Sequence, residues 1–199
     1  DAVQAQLPPD AVLIEFFQYQ PFDPKATQNQ RFGKPRYAVY TLDSDGRFQG
    51  IDLGLAEEID PLIADFTAAI RSRGIRISQV KDAARELEEA ILAPIRAQIG
   101  NSNHLIISPD GPLNLIPFEA LVDHNNQFLI ENFRFTYLTS GRDVLRFPVQ
   151  APPQQPPVLI ADPIFGKPGE TVQLAQNPTR SGNWKQRQLE ALEGTKIDR

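Results

Sequence analysis

Seven residues, His104 to Asp110, hold the three side-chain types of a hydrolase triad: an imidazole, the Ser108 hydroxyl and the Asp110 carboxylate. Such a set performs acyl transfer when a buried acid orients the base and the base faces an exposed nucleophile. Here His104 stands ahead of an apolar run, Leu105-Ile106-Ile107, and no Gly-x-Ser-x-Gly elbow surrounds the serine. The preferred reading of Ser108-Pro109-Asp110-Gly111 is a tight turn, proline setting φ and glycine taking the positive-φ position. A serine hydrolase using Ser108 or Ser140 with His104 stands as a rival, testable with a fluorophosphonate probe.

The other candidates are thinner. The chain has no cysteine, which excludes a disulfide framework, a thiolate zinc site and a cysteine nucleophile within it. Its two histidines, His104 and His124, lie twenty residues apart without a ligand pattern such as HExxH. His124, in Asp123-His124-Asn125-Asn126, reads as a hairpin-loop residue. Gly166-Lys167-Pro168-Gly169 lacks the spacing of a phosphate-binding loop. Asp162 ends a predicted strand, where doubly wound folds gather sites, but no second carboxylate is paired with it in sequence. Ser140-Gly141-Arg142-Asp143 suits an anion at a helix start, yet a turn plus cap is preferred. We therefore expect no catalytic, cofactor-binding or metal-binding residue in this chain.

The elements that must position these groups are legible from pattern. The chain has 199 residues, 41% of them hydrophobic, enough to bury a real core. Its net charge of −5 argues against nucleic acid or an anionic membrane as the main partner. No run approaches the length of a membrane span and no signal pattern opens the chain. Residues 12–20, VLIEFFQYQ, predict a core strand, and residues 21–35 a polar loop. Residues 36–42 and 47–53 predict a hairpin around Asp43-Ser44-Asp45-Gly46. Leu55, Ile59, Leu62, Ile63, Phe66 and Ile70 predict a helix, starting near Asp60 because of Pro61 and ending at a Gly74 cap. Val80, Ala84, Leu87, Ile91, Ile95 and Ile99 predict a second, with Ser78 as its cap, a kink at Pro94 and an end at Gly100. Arg85, Glu86, Glu88 and Glu89 fall off that stripe and predict a solvated face. Leu105–Ile107 predicts a strand buried on both faces, residues 128–138 one or two more, and residues 144–147 a short helix capped by Ser140 or Thr139.

Residues 1–10 read as a linker. Residues 148–157, PVQAPPQQPP, hold five prolines and read as an extended connector. A new strand is expected at 158–163, opening a second unit over 158–199, with a mobile loop at 167–183. The tetrapeptide FGKP recurs at 32–35 and 165–168, most simply by chance. The chain opens without methionine and closes on Asp198-Arg199, so we expect it to be a piece of a longer polypeptide.

The order ELEEAILAPI, HLIISPDGPLNLIPFEAL, QFLIENFRFTYLTSGRDVLR, a proline-rich gap and VLIADPIFG resembles the CHAT domain, over residues of about 11 to 199. LEALEGTK at 189–196 is similar to the segment preceding the catalytic half in that family. The resemblance implies an α/β fold, a caspase-like sheet flanked by helices. In complete active members it implies a histidine–cysteine dyad, cysteine as nucleophile and histidine as base. Neither His104 nor His124 sits in the family's His-Gly context, so no catalytic residue carries over. The resemblance makes residues 11–147 a non-catalytic first half and 158–199 the start of a catalytic-type unit. It implies the rest of the CHAT domain and upstream tetratricopeptide repeats as partners, a protein substrate for the parent, no direct nucleic-acid or membrane contact, and a cytoplasmic, bacterial setting. The alternative is an adaptor module of a parent without the dyad.

Overall fold

A computed structural model describes residues 2–27 and 29–148. They belong to the first of two compact units, which runs from Asp1 to Pro152. The strand expected at 158–163, the loop at 167–183, the second FGKP copy, Asp162 and Gly166–Gly169 lie outside the described residues.

The nine-residue apolar run becomes β1, Ala11–Tyr19. The hairpin forms as β2, Arg36–Asp43, and β3, Phe48–Leu55, with Gly46 at φ 85° in the turn. Asp43 accepts the Arg47 amide at 2.9 Å, closing that turn with its own side chain. Strands β4, His104–Ser108, and β5, Arg134–Tyr137, complete a five-stranded sheet of order β3-β2-β1-β4-β5. β1 runs antiparallel to β2 and parallel to β4, and β4 runs parallel to β5. Every residue of β4 is buried, as its continuous apolar run predicts for a strand covered on both faces.

Alternation along β1 assigns its faces. Val12, Ile14 and Phe16 join the main core, with Ile59, Ile63 and Phe66 of helix α1 (Ala56–Arg71) and Ala84, Leu87 and Ile91 of helix α2 (Ile77–Ile91). Ala11 and Leu13 point to the other face, where with Ile106 they meet Leu7 and Val144. The opening residues, read as linker, therefore include a side chain packed on the sheet. The result is an α/β fold, a mixed sheet flanked by helices, consistent with a caspase-like sheet. Among the described residues no helix is long and apolar enough to cross a membrane.

Several boundaries differ from expectation, each for a physical reason. Helix α1 starts at Ala56, ahead of Pro61, and ends at Arg71 with Gly74 outside it. Pro61 lies on the exposed side, where water can satisfy the carbonyl it leaves without a donor. Ser78 does not cap α2; the Gln79 side chain accepts the Arg76 amide instead. The second helix does not run to Gly100. It stops at Ile91, tightens into a 3-10 turn at Ala93–Ile95 around Pro94, and resumes as α3, Arg96–Ile99. Ile91, Ile95 and Ile99 stay buried throughout, so the break re-aims the backbone without losing the stripe. Glu88 is not solvated: it is 3% exposed and accepts two bonds from Arg96 Nη2 at 2.7 and 2.9 Å. Residues 128–138 give one strand only, after a 3-10 turn at Leu129–Glu131. The short helix after Ser140 is likewise a 3-10 helix, Gly141–Arg146.

Candidate functional site

The parallel strands β4 and β5 end together, and β1 runs four residues past the end of β4. The chain leaves β1 toward β2 on one side, and β4 lies on the other, so the carboxyl ends of β1 and β4 flank the point where strand order reverses. In open α/β sheets that is where ligands bind. The motif residues gather here: Ser108-Pro109-Asp110-Gly111 after β4, and Leu138 to Asp143 after β5.

Asp110 ties the two central strands. Its Oδ2 accepts the Gln18 amide of β1 at 2.9 Å, and its Oδ1 accepts the Gly111 amide at 2.8 Å. The second bond caps the 3-10 turn Gly111–Leu115. Gly111 sits at φ 55°, the left-handed position expected for it. Ser108 is 3% exposed at the end of β4, in register with Glu15 of β1.

His104 begins the same strand. Ser108 lies four positions further along the strand, about 13 Å at roughly 3.3 Å per residue. Its Nε2 lies 2.8 Å from Thr136 Oγ1, while Nδ1 is buried without a partner among the described residues. Burial, and then the nearby Arg134 guanidinium, hold its pKa below the ordinary histidine value, against a smaller opposing effect of Asp10. The geometry excludes the Ser108–His104 triad: base and nucleophile occupy opposite ends of a strand, and Asp110 binds backbone amides. His124 lies on the exposed loop between Val122 and Phe128, where Asp123 Oδ1 accepts the Asn125 and Gln127 amides, both at 2.9 Å. Lys81 and Arg85 of α2 bond to Asn126, fastening that loop.

The other two motif segments lock together. Tyr137, last residue of β5, accepts the Phe118 amide at 2.9 Å and donates to Glu119 Oε2 at 2.6 Å. Phe118 is fully buried, its ring 5.5 Å from Phe16 and 6.2 Å from Tyr137 between centroids. Desolvation, and then the Glu119 carboxylate, push the Tyr137 phenol above its ordinary value. Tyr37 behaves alike: it is fully buried, donates to Asp60 Oδ1 at 2.8 Å, and is pushed up first by burial.

Ser140-Gly141-Arg142-Asp143 forms the expected turn and cap. Ser140 Oγ accepts the Arg142 amide at 3.4 Å, and Thr139 donates to Asp143 at 2.6 Å, lowering the Asp143 pKa. The protein also provides the anion at this turn. Glu15 Oε1, from β1, accepts the Gly141 amide at 3.0 Å. A Cβ on Gly141 would stand 2.9 Å from Leu13 Cδ2 and 3.0 Å from Glu15 Oε2, so a larger residue here would have to displace the ends of those two side chains. Pattern reading missed Glu15, although a lone carboxylate inside VLIEFFQYQ was a visible signal.

Among the described residues no group of three or more histidines or carboxylates could hold a metal ion. Chemically the corner is a set of polar side chains bonded to backbone amides and to one another, which positions the strand ends. A sequence model described as the CHAT domain matches residues 81–196, more than half of the chain. The match begins within α2 and includes the SPDG corner, the PFEA turn and the SGRD turn. No curated protein matches the chain. These segments, in this order and joined by these contacts, belong to one family: the chain is a member of the CHAT domain family.

Proposed function

We propose that this chain is the non-catalytic scaffold portion of a CHAT-domain protein, a caspase-like cysteine endopeptidase whose His/Cys dyad is contributed by sequence downstream of it. The observation that carries this reading is the corner itself. Asp110, Glu15 and Tyr137 each bind backbone amides that hold the strand ends, and none is left aimed at open space as a base or nucleophile. The sequence contains no cysteine to serve as nucleophile. The rest of the CHAT domain and tetratricopeptide repeats are the partners this reading expects, in the cytoplasm.

The test is a pair of expressions. The chain alone is expected to cleave no peptide substrate above background and to resist fluorophosphonate labelling. The chain extended by its downstream coding sequence is expected to cleave, with activity abolished by alkylating the added cysteine. Peptidase activity of the chain alone, removed by a point substitution within it, would overturn the proposal. An extension that lacks the dyad and cleaves nothing would favour the adaptor reading, since a fold can outlive its chemistry.

A further inference from the structure

We propose that Asp45, at the tip of the β2–β3 hairpin, is a site of spontaneous isoaspartate formation, and that the fold blocks the same modification at Asp110. The sequence holds two Asp-Gly pairs, Asp45-Gly46 and Asp110-Gly111. Asp-Gly is the dipeptide most open to this reaction, because glycine has no Cβ to shield its amide nitrogen or restrain its backbone.

The reaction needs only water. The Gly46 amide nitrogen attacks Asp45 Cγ and an N–Cγ bond forms. One carboxyl oxygen leaves as water, carrying the amide proton and the acid proton. A second water then opens the five-membered imide. Where it breaks the bond from the nitrogen to the main-chain carbonyl carbon of Asp45, the chain continues through Cγ. The former main-chain carbonyl becomes a free carboxylate, and the mass is unchanged.

Geometry separates the two sites. The Asp45 side chain is 74% exposed, and its ion-pair partner Arg47, at 3.3 Å, is itself 79% exposed. Such a pair restrains a carboxylate weakly, so the group can turn toward the next amide. The Gly46 amide donates to the Asp43 carbonyl at 3.1 Å, a bond that opens whenever the exposed tip frays. Asp110 is held at both oxygens. Its Oδ2 accepts the Gln18 amide at 2.9 Å, and its Oδ1 accepts the Gly111 amide at 2.8 Å. The nitrogen that would attack therefore meets an oxygen rather than Cγ. Turning the carboxyl group to present its carbon breaks the tie to β1.

The product has a structural consequence. It adds one carbon to the main chain inside a turn that Asp43 closes, through its carbonyl to Gly46 and its Oδ1 to the Arg47 amide. The Gln4 amide lies against Gly46 and donates to the Ser44 carbonyl at 3.3 Å, so the hairpin's contact with the opening residues is displaced as well.

The experiment ages the full chain for weeks at neutral pH, folded and in guanidinium chloride. Isoaspartate is then labelled with protein L-isoaspartyl methyltransferase and an isotopic methyl donor, and peptide mapping locates the label. In the folded chain, label is expected in the tryptic peptide 37–47, accumulating about tenfold or more faster than at Asp110. In denaturant the two sites are expected to label alike. Asp45→Glu, which would have to close a slower-forming six-membered ring, is expected to remove the label from that peptide and leave Asp110 unchanged. No label at position 45 in the folded chain, equal rates at the two sites in the folded chain, or label in peptide 37–47 that survives Asp45→Glu would overturn the proposal.

Discussion

Removing one hydroxyl at position 137 tests whether the motif segments are a mechanical clamp. Tyr137→Phe keeps the ring against Phe118 and deletes only the oxygen between the Phe118 amide and Glu119. Two terms follow. A part-buried amide left without its acceptor costs about 1 to 2 kcal/mol. The bond to Glu119 is charge-assisted but reaches the surface, so it is worth about 1 kcal/mol after screening. The sum, about 2–3 kcal/mol, lowers the unfolding midpoint of a domain this size by about 4–12 °C. Thermal and urea unfolding of the full chain, followed by circular dichroism, measures it. A double-mutant cycle with Glu119→Ala isolates the pair, with an expected coupling near 1 kcal/mol. Destabilisation below about 0.5 kcal/mol with zero coupling would refute the clamp, and the segments would then owe their association to apolar packing alone.

Three further outcomes are expected. Gly141→Ala sets a Cβ against the movable ends of Leu13 and Glu15, so its cost is expected to stay at or below about 1 kcal/mol, read as a small drop in the urea midpoint, and a larger drop would mean those side chains are held in place. Arg96→Ala strands the buried Glu88 carboxylate; because Arg96 is itself 44% exposed, the cost is about 2 kcal/mol rather than the full penalty of a buried ion pair, and adding Glu88→Leu should recover most of it. His104 has a folded pKa below its unfolded value of about 6.5, so its contribution to stability is complete above that pH and is lost as pH falls toward the folded value. A pH series of unfolding midpoints from pH 7.5 to 5 should fall more steeply for the parent than for His104→Gln, and equal slopes would contradict this.

Short-range patterns were the legible part. The β1 and β4 runs, the Asp-Ser-Asp-Gly hairpin, the Gly111 turn and the Ser140 cap depend on neighbours within a few residues, and each forms where the pattern puts it. Boundaries were less legible because tertiary contact can override local preference. Pro61 should open a helix, yet Ala56 and Ile59 gain enough by burial to extend it backwards. Glu88 falls on the polar side of a regular helix, and is buried because its partner Arg96 comes from the helix that restarts after Pro94.

The candidate site divides along the same line. By itself the sequence determined the absence of a cysteine nucleophile and the turn chemistry of Ser108–Gly111, because composition and φ preferences are properties of the residues alone. It also placed the motif blocks in their order. Only the tertiary structure decided what those blocks touch. Parallel pairing of β4 beside β1 brings Glu15 to Gly141 and Asp110 to Gln18, across more than ninety residues in each case. The same pairing sets His104 and Ser108 at opposite ends of one strand. Contacts at that separation depend on strand order and register, and no local pattern encodes them.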